Sequence, residues 1–260
     1  MATSIRQLDI LQIAKRDQKV TVDALAREFD VTVQTIRRDL SELADAGKLE
    51  RVHGGAVLPS GVSNIGYEER RLLNEENKSA IARVCADRIP DGSSLFMNIG
   101  TSTEAVAREL VAHRNLLVVT NNLNIANTLS SNHDCKIVVA GGELRRTDGG
   151  LVGNLTADMV KVFKFDFAII GCSSLDPDGD LLDFDAREIL VSQTAIERSR
   201  QVLVVADSSK FRRKAPITIC SLRNVSTLFT DDTLPEGLPE KCERWGTEIV
   251  VRKPHLTNGV

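Results

Sequence analysis

Two groups of residues in this 260-residue chain have the types and spacing for chemistry. The first is Val33–Leu40, VQTIRRDL, preceded by Thr32. Val33, Ile36, Leu40 and Leu43 fall at steps of three, four and three, the stripe of an amphipathic helix. Gln34, Thr35, Arg37, Arg38 and Ser41 lie off it. An α-helix fits the major groove of B-DNA, where amides, hydroxyls and guanidinium groups meet base edges and phosphates. Gln34 and Thr35 stand in its first turn, Arg37 and Arg38 can reach bases or the backbone, and Arg51 and His53 follow on a hairpin that can touch backbone or minor groove. Thr32 is placed to cap this helix, Thr21 the one before it, and Gly47 to end it.

The second group sits where short apolar runs end. Ser94–Asn98 leads into Ile99-Gly100-Thr101-Ser102-Thr103-Glu104. Glycine there allows close backbone approach, and a helix start offers free N–H groups, which is the makings of an anion site. Asn121-Asn122 follows Leu116–Thr120, and Gly141-Gly142-Glu143-Leu144-Arg145-Arg146 with Asp148-Gly149-Gly150 follows Lys136–Ala140. Cys172-Ser173-Ser174 and Asp207-Ser208-Ser209-Lys210 end two further runs. Arg145 and Lys210 are candidate phosphate cations. If these ends lie side by side, amides, hydroxyls and cations form a polar rim suited to a small phosphorylated polyol or sugar.

The elements that must position these groups are legible too. Helices are expected at Ile5–Arg16 (apolar at Ile5, Leu8, Leu11 and Ile13), from Thr21 with Leu25 and Phe29 inward, and at Val33–Ala46, followed by a hairpin Leu49–Val57 with His53-Gly54-Gly55 at its tip. This is a winged helix-turn-helix. Pro59–Gly66 reads as a linker. Helices and strands then alternate: helices near 75–89, 102–112, 123–130, 155–162 and 185–199, and strands near 94–98, 116–120, 136–140, 165–171, 202–206, 226–230 and 248–251. Such alternation predicts a Rossmann-like α/β domain, a mostly parallel sheet with helices on both faces. The expected domains are 1–58 for DNA binding, a linker at 59–74, and 75–260 for effector binding and oligomerisation.

Composition narrows the classes. At 42% hydrophobic and 27% charged the chain is globular. Aromatics make up only 4%, so Val, Ile, Leu and Ala must build the core. No apolar run approaches the ~20 residues of a membrane span. Five scattered cysteines (Cys85, Cys135, Cys172, Cys220, Cys242) without a C-x-x-C pair, and an N-terminus without a signal-peptide core, predict reduced, buried thiols in a cytoplasmic protein. Residues 1–58 carry nine basic and nine acidic groups, so the net charge of −3 lies entirely in 59–260. Binding to nucleic acid must therefore rest on where the cations sit. No metal constellation and no cofactor motif is present.

LAREFDVT, TIRRDL and RVHGGA at this spacing closely resemble the DNA-binding domain of DeoR-family bacterial repressors. GTST, GGELR, DGG, FDFAIIG, LLDFD and ADSSKF resemble that family's effector domain, which is similar in fold to ribose-5-phosphate isomerase and glucosamine-6-phosphate deaminase. The resemblance spans nearly the whole chain, fading after about Asp231. It implies a repressor that binds double-stranded operator DNA through Thr32, Gln34, Thr35, Arg37, Arg38, Arg51, His53 and Gly54. It implies glycerol 3-phosphate as the effector that releases DNA. By motif position, Gly100, Thr101, Ser102 and Thr103 would hold the phosphate, and Asn121, Asn122, Gly141, Gly142, Glu143, Arg145, Asp148, Gly149 and Lys210 would line the rest. The family usually shows an acid two positions before the GT pair, where this chain has Asn98; an amide cannot act as a general base.

One small module buries only roughly 600–1,000 Å² on DNA, so a dimer or tetramer is expected. The competing expectation is a phosphosugar isomerase or deaminase using Asp183, Asp185, Glu188 and Asp207. It lacks a pocket histidine, since His53 lies in the wing, His113 and His133 in helix ends or loops, and His255 in the tail. A regulator of a different sugar-phosphate operon, or an activator, is the third.

Overall fold

The computed structural model describes residues 4–17, 19–57 and 66–254. Two compact units form, one from Met1–Gly61 with Glu68–Leu73, the other from Val62–Tyr67 with Asn74–Val260. Of the expected linker at 59–74, residues 59–65 lie outside the described residues, as do 255–260 of the tail; the rest of the linker span holds a helix.

In the first unit the order is α1 (Ile5–Asp17), β1 (Lys19–Thr21), α2 (Val22–Glu28), α3 (Val33–Asp45), β2 (Glu50–Val52) and β3 (Gly55–Val57). Ser4 and Gln7 cap α1 reciprocally: Ser4 N–H donates to Gln7 Oε1 at 3.0 Å and Gln7 N–H to Ser4 Oγ at 3.2 Å. Thr21 Oγ1 accepts from Ala24 N and Thr32 Oγ1 from Thr35 N. After α3, Gly47 takes φ +67°. Gly47 N–H donates to Ala44 O and Lys48 N–H to Leu43 O, a Schellman ending that turns the chain into the wing.

The core joins Ile10, Ala14, Leu25, Ile36, Leu40, Leu43 and Leu49. Two stripe assignments are corrected here. Ile5 and Leu8 are 81% and 49% exposed, because α1 turns Gln7, Ile10 and Ala14 inward, and Val33 in the first turn of α3 is 37% exposed. On α1 only Leu11 and Ile13 of the expected face pack against the core, whereas on α3 Ile36, Leu40 and Leu43 are buried as the spacing predicts. The wing also has a strand that periodicity missed: β1 pairs with β3, giving the order β1-β3-β2. Gly55 is obligatory there, since a Cβ would lie 1.9 Å from Val20 O.

The second unit runs α4 (Tyr67–Leu72), α5 (Glu75–Ala86), β4 (Ser94–Met97), α6 (Thr101–Leu110), β5 (Leu116–Thr120), α7 (Leu123–Leu129), β6 (Cys135–Val139), β7 (Glu143–Arg145), β8 (Gly150–Val152), α8 (Asn154–Lys161), β9 (Phe165–Ile170), β10 (Ser174–Leu175), β11 (Asp180–Asp183), α9 (Ala186–Glu197), β12 (Ser199–Val205), a 3-10 turn Ser208–Arg212, β13 (Ile217–Ser221), β14 (Thr227–Thr230), α10 (Leu238–Trp245) and β15 (Glu248–Val251). All but the first residue of α4 group with the first unit.

Seven parallel strands form the sheet β15-β14-β12-β9-β4-β5-β6. Leu95, Met97, Val118, Ile169, Leu203 and Val205 face one layer, built on α5, α6 and α7. Phe96, Val119, Ala168, Ile170, Val202 and Val204 face the other, built on α8, α9 and α10. The chain starts at β4, moves to β5 and β6 on one side, then returns to β9 on the other. That reversal is the topological switch point, where the carboxyl ends of β4 and β9 diverge and ligands collect. The small sheet β10-β11-β13, the hairpin β7–β8 and α10 are absent from the sequence reading. Their runs are too short for periodicity. Trp245 closes α10 against the core, with the Arg223 guanidinium 5.5 Å from its ring centre.

Candidate functional site

The DNA-facing candidates lie on α3 and the wing. Gln34, Arg37 and Arg38 are exposed, and Thr35 is half-buried with its hydroxyl 2.9 Å from that of Thr32. Arg37's guanidinium has no hydrogen-bond partner among the described residues, whereas Arg38 Nε donates to Glu42 Oε1 at 3.0 Å. That bond, and one from Gln7, hold the Glu42 carboxyl below its usual range. Arg6 reaches from α1 to the buried Asp39, and Gln7 donates to Glu42 at 2.6 Å, so two polar ties fix the roll of α3 against α1. Thr32, Gln34, Thr35 and Arg38 share a cleft of about 580 Å³ with Ser4, Arg6 and Gln7. His53 and Gly54 form the exposed wing tip, and the Gly54 carbonyl accepts from Val22 N–H. Arg51 is half-buried and donates to the Arg37 carbonyl at 3.0 Å, bracing the wing on α3; burial, then Arg37, lower its pKa.

In the second unit the switch point is closed by Asn98. Its Oδ1 accepts from Gly171 N–H at 2.9 Å while its Nδ2 donates to Gly171 O at 3.0 Å. A carboxylate could not make the second bond, which gives the amide at this position a physical reason. Next comes α6, whose first turn (Thr101, Ser102, Thr103) is buried and has no side-chain cap at Gly100. A buried helix start needs partners for its free N–H groups. Thr103 Oγ1 is spent on Asn98 O and Gly100 O, and the Ser102 hydroxyl has no partner among the described residues.

Cations gather here. Lys78, Lys210 and Arg213 are only 5%, 7% and 8% exposed. Lys78 Nζ donates to Thr101 Oγ1 at 3.3 Å. Burial first, then Lys210, bring the Lys78 pKa down to about 8. Asp207 caps the 3-10 turn that carries Lys210 and accepts from Asn74 Nδ2 at 2.9 Å. Burial opposes its charge, but Lys210, Ser209 and Arg213 hold its carboxyl below the usual range. Lys78, Lys210 and Arg213 thus gather near Asp207, with Glu75 also close to Lys78, beside an uncapped helix start. Cys172 lies past β9, its thiol pushed up to about 12 by burial, so it stays neutral. Lys78 and Arg213 escaped the sequence reading. The signal for Lys78 was present: it lies on the same helix face as Ile81, Ala82 and Cys85, all buried.

A second cluster unites Asn121, Asn122, Asp148 and Gly149. The β7–β8 hairpin docks on the end of β5: Leu151 N–H donates to Asn121 O at 2.7 Å and Leu123 N–H to Gly149 O at 3.0 Å. Asn121 Nδ2 donates to Leu151 O, leaving its fully buried Oδ1 without a partner. Asn122 Nδ2 donates to Glu104 Oε1 at 2.9 Å.

Arg145 goes elsewhere than a phosphate. It binds Asp148 through two bonds, Asp185 at 3.0 Å and Glu188 at 2.6 Å. Burial opposes that charge, but Asp148 and Glu188 raise its pKa all the same. Burial first, then Asp183, push Glu188 up to about 8 against the pull of Arg145. Gly141, Gly142 and Glu143 are exposed and do not join the cluster; Glu143 pairs with Arg187 at 2.9 Å, and a Cβ on Gly142 would meet Thr156 Oγ1 at 1.9 Å.

Two family models match the chain. Residues 6–62 match the DeoR-like helix-turn-helix domain and residues 73–232 the DeoR C terminal sensor domain. The chain is 45% identical over 235 residues to the glycerol-3-phosphate regulon repressor of Escherichia coli, covering 90% of this chain and 93% of that one. It is 43% identical over 251 residues to the protein of that name in Haemophilus influenzae, covering 96% and 98%. Among solved structures, ribose 5 phosphate isomerase A from Neisseria gonorrhoeae superposes with a TM-score of 0.39 at 12% identity, over 52% of each chain.

Proposed function

The chain belongs to the DeoR family of transcriptional repressors, and on that premise we propose that it silences genes of glycerol and glycerol 3-phosphate metabolism until glycerol 3-phosphate fills its sensor pocket. It is a DNA-binding repressor and not an enzyme. The acids named for isomerase chemistry have other work: Asp183 accepts from Ser173, Asp185 caps α9, Glu188 pairs with Arg145 and Asp207 caps the Lys210 turn.

One observation carries the effector reading: the buried, uncapped start of α6 stands beside Lys78, Lys210 and Arg213. A phosphate dianion brings two negative charges and several acceptor oxygens, which suit both the N–H groups of a helix start and charged donors close by. Thr101, Ser102 and Thr103 would hold it through their N–H groups and the Ser102 hydroxyl, with Gly100 allowing its approach. The orphan Asn121 Oδ1 then takes a ligand hydroxyl as donor, with Asn122, Asp148 and Gly149 shaping that end. Lys78 and Arg213 join the set, while Gly141, Gly142, Glu143 and Arg145 serve its scaffold.

On the DNA side Gln34, Thr35 and Arg37 read bases, Arg38, Thr32, His53 and Gly54 approach the backbone, and Arg51 holds the wing in register. Because one such module buries little surface, the working repressor carries two or four on a common assembly of the 75–260 domain. It acts in the cytoplasm, where its operator lies. Effector and operator favour different arrangements, coupled by ~1–3 kcal/mol, and the 59–74 segment transmits the change.

Gel shifts of a glycerol-gene promoter fragment, titrated with glycerol 3-phosphate, ribose 5-phosphate, glucosamine 6-phosphate and inorganic phosphate, test this. Release at the lowest concentration by glycerol 3-phosphate is expected. Equal retention with every compound overturns the effector assignment.

A further inference from the structure

We infer that the Tyr67 hydroxyl couples the effector pocket to DNA release, acting as a positioning residue through Glu104; this rests on the function proposed above. Glu104 belongs to the first turns of α6, one position beyond Thr103, and is only 4% exposed. A buried carboxylate must be compensated by donors. Glu104 has three: Tyr67 Oη–H at 2.8 Å on Oε2, Asn122 Nδ2 at 2.9 Å and Asn124 Nδ2 at 3.1 Å on Oε1. Asn124 also donates to Tyr67 Oη at 2.9 Å and to Asp148 O at 3.0 Å. The network therefore joins the anion-facing end of α6, the hydroxyl-facing Asn122 and Asp148, and the first residue of α4.

The position of Tyr67 in the chain makes this junction functional. Asn122 caps α7 and Asn124 stands in its first turn, both within the second unit. Tyr67 lies at a division between the units: it groups with the sensor, and Glu68–Leu73, which follow it directly, group with the DNA-binding unit. A phosphate drawn onto the start of α6 moves or further charges the turn that carries Glu104. Two anions beside one helix end repel, and Glu104 answers through its donors. Of those donors, only Tyr67 leads along the backbone into the other unit. A group held differently in two states is what linkage requires.

Tyr67→Phe keeps the ring and removes only the hydroxyl, so it tests the bond. In the full-length protein, calorimetry gives glycerol 3-phosphate affinity and gel shifts give operator affinity with and without it. Expected are an effector affinity and a bare operator affinity within about twofold of the parent. The effector-induced drop in operator affinity, ~5–150-fold in typical allosteric systems, shrinks to about twofold or less. A merely structural hydroxyl would instead lower both affinities together, and that result overturns the inference. So does a variant released as fully as the parent. If the parent neither binds nor responds to glycerol 3-phosphate, the effector assignment falls and this inference with it.

Discussion

The cations of the DNA module and those of the sensor differ in almost every physical respect. Arg38 is 82% exposed, and Arg37 beside it stands in water. Lys78, Lys210 and Arg213 are nearly out of it. Solvated guanidinium groups keep full charge at every physiological pH and gain affinity by releasing counterions, so the contact is strong, reversible and salt-dependent. Buried ammonium groups have already lost their hydration, and that cost is visible in the lowered pKa of Lys78. A small dianion recovers much of it. On the function proposed above, the same charge serves two recognitions, one of a long polyanion met in solvent and one of a single phosphate met by buried cations, and burial separates them.

The sharpest way to break this contrast is Arg37→Ala with Arg38→Ala. Each well-placed base or phosphate contact is worth ~1–3 kcal/mol, so operator affinity should fall about 100-fold or more in gel shifts, with effector binding unchanged. Undiminished shifts would end the DNA assignment. Next is Lys78→Met. Effector affinity should fall roughly 10–100-fold, since hydrogen bonds to charged groups contribute ~1.5–3 kcal/mol, while operator binding persists and is no longer relieved. The melting temperature should hold or rise because a buried charge is gone; a large fall would show Lys78 to be a structural partner instead.

The pH dependence of the effector sharpens the comparison further. The Lys78 pKa is lowered, and phosphate favours its charged form. Effector affinity is therefore full from about pH 7, where the phosphate is a dianion, to about pH 8 and declines above it, and binding above that pH takes up a proton. For the free protein the sign reverses: the unfolded lysine binds its proton up to the ordinary value of 10.5, so stability rises between about 8 and that value. Calorimetry in buffers of different ionisation enthalpy reads the proton, and Lys78→Met should abolish it. The smallest effect belongs to Asn98→Asp. It removes the Nδ2 donor to Gly171 O and adds a negative charge near the phosphate, costing ~1–3 kcal/mol of stability and a few-fold of effector affinity. An unchanged melting curve would refute the bridging role.

Legibility followed the same divide. The α3 stripe, its Thr32 cap, the Gly47 ending and the exposed Arg37 were readable because they are local: one helix and its two ends carry the whole signal. The ends of β4, β5 and β12 were readable as a polar rim for the same reason. Lys78 and Arg213 were not singled out, because a lysine or arginine in sequence reads as surface. Only packing shows that α5 turns Lys78 inward beside Thr101. Arg145 failed in the opposite direction: its Gly-rich setting suggested a ligand cation, but Asp148, Asp185 and Glu188 claim it from separate elements. The Gly141–Glu143 run ended exposed because β7 pairs only with β8, in a hairpin outside the main sheet.

What the amino-acid order settled alone was the seven strands of the large sheet and the main helices between them, the reading helix with its caps, and the parallel α/β class. Hydrophobic spacing, turn residues and capping act over a few positions and need no partner from afar. What the folded chain decided was which charges meet. Burial, the company of Lys78 and Lys210, the orphaned Asn121 acceptor and the Tyr67–Glu104 bond all join residues tens of positions apart. Electrostatic energy depends on the distance and the medium between charges, and both exist only once the sheet has closed at its switch point.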